Sequence, residues 1–497
     1  MQSKREFKTS SMLRPAIESL EARRMLANDA LATASVEVAS SQWLRITGTS
    51  NADMIVVRKT TSTKFEITNG SWEKSVIGSF AGVIIDAKDG NDRVSLATDG
   101  LSFKVSILGG AGNDILSGGA LSDTIVGGEG NDFFLGGESN DLLLGEVGND
   151  SLNGSFGDDS LNGGAGDDSV YGNAGNDLVD GGTDIDRVHG GTGRDTLIGI
   201  GGSGKDTLTG AEDLHSFWLD NDVSEKITDV SETENEVGAI HRVSSFVNGA
   251  NKTLDGQNLP DPAGNGTLKN FKNHKLFGPG GPSAYDIVEG AADDSWFLST
   301  LSSIVSKDPE FVRQMITNLG DGTFAVRFKT STGADQYVRV DADLRTANAK
   351  GTTLKYAGFC DDNTMWVAVV EKALTFVRPS QSGYAKLFGG WTSQACQLLG
   401  VDFTTFTRSS VSSASQLVSK VNLELQADRA VTITVNDNAI DIGLTEGNVY
   451  VITSLVTNSD NTKSFKLRTA TGGYRTVSAA NMYAYMKEFT AATVEID

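Results

Sequence analysis

A nine-residue period governs the first half of the chain and restricts its fold more than any other feature. From Gly109 to Ile198 ten nonapeptides follow one another in unbroken register, and an eleventh spans Gly201–Thr209 after a two-residue insertion. The template is Gly-Gly-x-Gly-x-Asp-x-U-x, with U apolar. Its sixth position is Asp in every copy: Asp114, Asp123, Asp132, Asp141, Asp150, Asp159, Asp168, Asp177, Asp186, Asp195 and Asp206. Its eighth is always apolar: Leu116, Ile125, Phe134, Leu143, Leu152, Leu161, Val170, Val179, Val188, Leu197 and Leu208. Self-similarity at a fixed short period is the signature of a solenoid, in which each unit buries its apolar side chain only by stacking on its neighbours. Composition follows the same boundary. Residues 109–209 hold 15 Asp and 3 Glu against 3 Lys and Arg, a net charge of −15 within a total of −22, together with 28 of the 57 glycines.

This register resembles the RTX repeat, and the resemblance implies a parallel β-roll. Each unit would make a glycine-rich turn and a short strand, and two units would complete one coil. Glycine permits the positive φ angles of the turn and lets its carbonyls face a cation. Each Asp adds a hard oxygen, which suits Ca²⁺. Mutual repulsion of stacked carboxylates would keep the segment open without calcium, so that binding drives folding. The bland reading of each Asp, a turn residue that only caps backbone amides, fits eleven copies in register less well. Imperfect copies mark weaker turns: Leu121 and Ser122, Ser139, Glu146, Ser155, Asn173 and Asp184-Ile185 stand where the template has glycine or a polar residue. Upstream, residues 41–108 alternate as in Trp43-Leu-Arg-Ile-Thr47 and carry one half-copy, Asp89-Gly-Asn-Asp-Arg-Val94; they read as a β-rich cap on the roll. Residues 210–274 read as a connector.

Charge and length exclude other classes. A net charge of −22 opposes nucleic acid or an anionic membrane as partner. No run approaches the ~18 apolar residues of a membrane span. Two cysteines, Cys360 and Cys396, make no disulfide framework, and whether they bridge stays open. Residues 1–40 are basic at the start and contain Ile-Glu-Ser-Leu-Glu-Ala-Arg-Arg-Met-Leu-Ala (17–27), similar to a leader of large secreted planctomycete proteins; the plain alternative is a short exposed helix. With the calcium repeats, this leads to an extracellular or cell-surface location as the expectation.

The second half carries a different signal. Gly281-Pro-Ser-Ala-Tyr-Asp286 is followed by Trp296-Phe-Leu298, then Val338-Arg-Val-Asp-Ala-Asp-Leu344, Trp366-Val-Ala-Val-Val-Glu-Lys-Ala373, Tyr384 and Gly389-Gly390. In that order these stretches resemble the calpain family of cysteine peptidases. The resemblance covers residues 275–497 and implies an α+β papain-like fold with a helical lobe (275–400) and a β lobe (401–497). Periodicity agrees: Phe297, Leu298, Leu301 and Ile304 define a helix over Ser295–Val305, with Asp293 and Asp294 placed to cap it. A helix is expected over Phe311–Leu319 and another over Trp366–Phe376, with strands at Thr323–Phe328, Gln336–Val340, Val431–Val435, Val449–Thr453 and Phe465–Arg468. Asp341 and Asp343 read as turn caps.

Four positions that the resemblance makes catalytic hold the wrong residues. Ser295 stands where the family has its cysteine. Asn448, in Leu444-Thr-Glu-Gly-Asn-Val-Tyr450, stands where it has the histidine base. Thr469, in Arg468-Thr-Ala-Thr-Gly472, takes the place of the orienting Asn, and Glu289 that of the oxyanion Gln. A thiolate, a base and an oxyanion donor are the working parts of this chemistry; an amide is no base, and a carboxylate repels an oxyanion. The four histidines are His189, His215, His241 and His274, none in the β lobe. His215 and His241 read as packing or surface residues. The expectation is a calcium-binding protein with an inactive calpain-like domain that binds a polypeptide or cell-surface component or serves as structure. The alternatives are a calcium-dependent endopeptidase with an altered site, and a structural surface-layer component.

Overall fold

A computed structural model describes residues 35–38 and 43–494, apart from 98–102, 202–203, 212, 222–224, 231–233, 235–238, 253, 255–257, 273, 279–280, 289–293, 348–353, 357–363, 379–382, 388, 437, 446 and 470–471. The leader-like stretch 17–27, Glu289, Asp293 and Cys360 lie outside the described residues. The chain divides into two compact units, Met1–Ser244 with Thr253–Gly256, and Ser245–Lys252 with Gln257–Asp497.

Over its described residues the first unit is a parallel β-solenoid of two eleven-stranded sheets. Strand neighbours are one coil apart, eighteen residues over the regular repeats. In one sheet Ile125 pairs with Leu143, Leu143 with Leu161 and Leu161 with Val179. In the other Leu116 pairs with Phe134, Phe134 with Leu152 and Leu152 with Val170. Side chains alternate across a strand, so every eighth-position residue turns inward, and all eleven are at most 1% exposed. The two-residue insertion lengthens one coil to twenty residues without breaking the stack, since Val188 still pairs with Leu208 and Leu197 with Phe217.

The solenoid is longer than its repeat. Trp43–Thr47, Gly82–Asp89 and Lys104–Ala111 already stack in parallel, through Leu44, Val83 and Val105. Antiparallel pairing among the described residues of this unit is confined to its start: Ser35–Val38 lies against Trp43–Thr47, Lys64–Asn69 folds back on Met54–Thr61, and Trp72–Ile77 on Lys64–Asn69. There Phe65 meets Phe80 and Phe103 edge-on at 5.5 and 5.2 Å and closes the core. Downstream, Ser216–Asp220, Lys226–Thr228 and Ile240–Val243 add further strands in the stretch read as connector. Phe217, Leu219 and Ile227 supply apolar side chains to the same core there. A coil needs an inward side chain and a backbone to pair with, not the turn motif, so periodicity underestimates its length.

In the second unit the Ser295–Val305 helix begins and ends as its periodicity predicts, and all eleven residues are buried. Phe297, Leu298, Leu301 and Ile304 join the helical-lobe core with Val338, Trp366 and Val370. Small hydroxylated residues cover the rest of its surface and find backbone acceptors: Ser299 Oγ donates to the Val449 carbonyl at 2.8 Å, and Thr300 Oγ1 to Trp296 at 2.8 Å. The expected helix over Phe311–Leu319 is shorter. It spans Pro309–Arg313, capped by Asp308, and Ile316–Asn318 is instead the edge of a three-stranded antiparallel sheet with Thr323–Lys329 and Asp335–Asp341. Pairing of β-branched Ile316 with Val326 overrides the local helical pattern.

The Trp366–Val377 helix carries a fully buried Lys372. Its Nζ meets Asp261 Oδ1 and Asp341 Oδ1, both at 2.6 Å, and the Asp343 carbonyl at 2.8 Å. Asp341 also accepts the Asp343 amide at 3.0 Å, so it caps the turn as predicted and neutralises the lysine as well. The β lobe is a six-stranded antiparallel sheet in the order Asp402–Thr407, Met486–Thr493, Ala430–Val435, Val449–Thr457, Lys463–Arg468, Tyr474–Ser478. Helices Ala414–Gln426 and Ala479–Tyr485, absent from the sequence reading, add Leu417, Val421 and Met482 to its core.

Candidate functional site

Stacking by eighteen residues places the repeat aspartates in two columns. Within a column each Oδ1 accepts the backbone amide of the Asp one coil earlier, at 2.7–2.9 Å. Asp114 to Asp132, Asp132 to Asp150, Asp150 to Asp168, Asp168 to Asp186 and Asp186 to Asp206 form one run. Asp123 to Asp141, Asp141 to Asp159, Asp159 to Asp177 and Asp177 to Asp195 form the other. Half of each carboxylate therefore does what the bland reading expects and caps a turn.

The other half does not. Oδ2 of Asp114, Asp132, Asp141, Asp150, Asp159, Asp168, Asp177 and Asp186 is buried without a hydrogen-bond partner. A buried carboxylate oxygen left unpaired is costly. Burial accordingly pushes these carboxyls up: to about 6 for Asp114, Asp132, Asp150 and Asp159, to about 7 for Asp141 and Asp186, and to about 8 for Asp168 and Asp177. The amide bond from the preceding coil pulls each part of the way back, while neighbouring carboxylates push several further up.

The surroundings of Oδ2 are oxygen-rich and leave no room for a side chain. A Cβ built on Gly109 would lie 2.3 Å from Asp114 Oδ2 and 2.7 Å from the Gly127 carbonyl oxygen; on Gly172 it would lie 2.3 Å from Asp177 Oδ2 and 2.7 Å from the Gly190 carbonyl oxygen. One carboxylate oxygen and one turn carbonyl of the next coil converge in the same way at Gly127, Gly136, Gly145, Gly154 and Gly163. Among the described residues no three His, Cys, Asp or Glu side chains cluster in metal-ligating geometry. Any cation held here would take one or two aspartates and complete its shell with backbone carbonyls. An all-oxygen set of this kind fits calcium and not a soft transition metal.

The imperfect copies separate by mechanism. At the second-glycine position φ is 118° in Gly110 and 121° in Gly128, and Glu146, Ser155 and Asn173 adopt 76°, 82° and 77° in the same place. Those turns keep their shape at a cost of about 1 kcal/mol each. Asp123 differs: its Oδ2 accepts the Gly119 amide at 2.6 Å and is not left without a partner.

Both columns extend through residues that sequence reasoning did not single out as ligands. Asp53 N donates to Asp92 Oδ1 and Asp92 N to Asp114 Oδ1, each at 2.7 Å, and Asp92 Oδ2 is another buried orphan with its carboxyl pushed up to about 7. The half-copy Asp89–Val94 was the signal for Asp92; Asp53 had none. After Asp195 the column passes to His215, whose Nδ1 lies 3.3 Å from Asp195 Oδ2 and whose backbone amide donates to Glu234 Oε1 at 2.9 Å. His215 and His241 are both fully buried, so they are packing residues and not surface ones. Trp218 lies 4.0 Å from the His241 ring.

In the second unit the calpain-like motifs act as a frame. Asp286 Oδ2 accepts the Ser283 amide at 2.8 Å and the Trp366 indole at 2.9 Å, which ties the first motif to the later helix. Trp296 donates to the Leu387 carbonyl at 3.0 Å, and a Cβ on Gly390 would stand 2.4 Å from its ring. Within that frame Ser295 opens its helix at 4% exposure. One turn on, Ser299 bonds to Val449, the residue after Asn448. Two turns on, Ser302 Oγ accepts from the guanidinium of Arg468, the residue before Thr469. The helix of Ser295 is thus bound to the strand beginning just after Asn448 and to the strand ending just before Thr469. Asn448 is half-buried. The Thr469 hydroxyl is engaged in its own turn, where it accepts the Gly473 amide at 2.9 Å. Cys396 is fully buried and burial pushes its thiol up to about 12, so it offers no thiolate. His274 meets the Phe271 ring edge-on at 5.1 Å.

These arrangements define two classes of module, an oxygen-lined calcium solenoid and a papain-like α+β domain. Comparison with known proteins makes both specific. Residues 267–491 match the calpain family cysteine protease model. Six overlapping segments from 103–125 to 180–213 match the RTX calcium-binding nonapeptide repeat. Among curated proteins, calpain clp-4 of Caenorhabditis elegans is 35% identical over 129 residues, 25% of this chain and 16% of that protein. Calpain clp-1 of the same organism is 30% identical over 131 residues, again 25% and 16%. The chain therefore carries RTX calcium-binding repeats and a calpain-family domain, and spans about a sixth of the length of the curated relatives it matches. No helix among the described residues is long and apolar enough to cross a membrane.

Proposed function

We propose that this protein is an extracellular or cell-surface calcium-binding protein whose calpain-family domain is a pseudopeptidase, used to bind a polypeptide or surface component or as structure. The repeat aspartates would hold Ca²⁺ through Oδ2 together with turn carbonyls. Extracellular calcium modules bind at about 10⁻⁴–10⁻³ M, which would leave the roll folded outside a cell and loose inside one.

The loss of activity rests on one observation above the others: Asn448 stands at the base position and residues 275–497 contain no histidine at all. A serine hydroxyl at Ser295 needs a strong adjacent base to become a nucleophile. Thr469 and Glu289 add the loss of the orienting amide and of the oxyanion donor. Casein hydrolysis measured with added calcium is expected to show no turnover above background. Calcium-dependent turnover abolished by Ser295→Ala would overturn the reading in favour of an altered endopeptidase. The joint substitution Ser295→Cys, Asn448→His, Thr469→Asn and Glu289→Gln is expected to create activity, and Ser295→Cys alone is not.

A further inference from the structure

The second unit contains a cavity of about 600 Å³ whose lining includes none of Ser295, Asn448 or Thr469. Its wall is formed by the last turns of the Ser295–Val305 helix, the Pro282–Tyr285 segment and the β lobe. Three cations line it, Lys307, Arg429 and Arg468, and no carboxylate does. That is unusual in a chain of net charge −22. Two of the cations are already answered: Lys307 pairs with Asp428, and Arg429 with Glu424 at 2.7 Å.

Arg468 is different. It is 4% exposed, and no ion pair to it exists among the described residues. Its Nη1 donates to Ser302 Oγ, while Nε and Nη2 are buried with no hydrogen-bond partner. Nε and Nη2 are the two nitrogens of the side-on edge, whose parallel N–H bonds match the two oxygens of a carboxylate or phosphate. Leaving both empty forfeits the strongest hydrogen bonds a guanidinium makes and is costly in a buried site. Tyr285 lies over the guanidinium, 5.5 Å from ring centre to Cζ, is 64% exposed and shares a side-chain hydrogen bond with Tyr474, so the two tyrosines form the outer cover of this edge. The negative charge nearby does not bond to this edge: the carbonyl end of the helix contributes about half a negative unit, and Asp286 acts on Arg468 through space while its Oδ2 accepts from Ser283 and Trp366.

We infer that this cavity is an oxyanion-binding site, in which the free edge of Arg468 takes a carboxylate or a phosphate-type group and the Ser302–Ser303 wall and Arg429 complete its surroundings. The inference does not depend on whether the domain is a peptidase. The calcium-loaded full chain, held at constant ionic strength with sodium chloride, is titrated by calorimetry with sulfate, with a short peptide ending in a free carboxylate, and with its amidated twin. Saturable binding of sulfate, or of the free-acid peptide and not the amide, is expected, and the two arms tell a tetrahedral source from a carboxylate. Arg468→Lys keeps the charge and removes the fork, and is expected to lose ~10–100-fold in affinity. Arg429→Gln, at the rim, is expected to lose a few-fold and serves as the deciding variant if circular dichroism shows that Arg468→Lys does not fold. Failure of every probe to bind above chloride, or unchanged binding in the variant that folds, overturns the proposal.

Discussion

The two units of this molecule bury charge in opposite ways. In the solenoid, eight repeat carboxylates present a buried oxygen with no partner, and their pKa values climb to about 6–8 because water is excluded from them. In the calpain-family domain, Lys372 is just as buried but is enclosed by Asp261, Asp341 and a carbonyl, and Arg339 pairs with Asp321. One unit leaves the same charge unanswered coil after coil, and the other answers Lys372 and Arg339 within the fold and leaves Arg468 as the exception. A buried charge without a partner in the chain points to a partner outside it. A buried charge with its partners in place points to a fold that stands by itself.

Removing calcium is the most severe test of that contrast. Calorimetry of the full chain is expected to show two unfolding transitions, with a chelator abolishing the solenoid transition and leaving the other unmoved. Equal shifts in both would break the comparison. A pH series on the chelated protein comes next. Between pH 4 and pH 8 the cation-free folded roll holds protons on Asp141, Asp168, Asp177 and Asp186 that the unfolded chain, at 3.8, has released. Its stability must therefore fall as pH rises through that window. With calcium the order reverses, because the cation displaces those protons and binds more tightly as pH rises. Circular dichroism at fixed pH steps, with and without calcium, reads both slopes; a cation-free roll that gains structure towards pH 8 contradicts the burial of Oδ2.

Lys372→Met probes the completed side. It leaves Asp261 and Asp341 facing each other without their cation and is expected to cost about 3–5 kcal/mol, seen only in the calcium-independent transition of a denaturant or thermal melt. The smallest effect is local. Ser155→Gly relieves a residue held at φ 82° and should stabilise the calcium-loaded roll by up to about 1 kcal/mol. Among the aspartates, Asp123→Asn should lower calcium stoichiometry less than Asp177→Asn does, because Asp123 Oδ2 already accepts the Gly119 amide and Asp177 Oδ2 has no partner.

Legibility differed between the units for a physical reason. A solenoid repeats one local solution, so its core residues, its turns and its column of aspartates are all written at fixed spacing, and only the ends escaped. Strands at 216–220 and 226–228 have inward side chains but no motif, and Asp53 and His215 join the columns through stacking alone. In the calpain-family domain the motifs located the Ser295 helix to the residue. They did not show that Ile316–Asn318 would be a strand, because that depends on Val326 lying beside it. Arg468 entered only as the residue before Thr469, and nothing in its neighbours announced a buried guanidinium with an empty edge.

By itself the sequence determined the solenoid and the family of the second domain, because these are carried by spacing and by side-chain chemistry. The tertiary structure decided which oxygen of each aspartate is spent on an amide and which is left over, which charges are neutralised within the fold, and where a guanidinium remains unanswered. Those outcomes follow from atoms far apart in the chain competing for the same hydrogen bonds, and no local pattern records who wins.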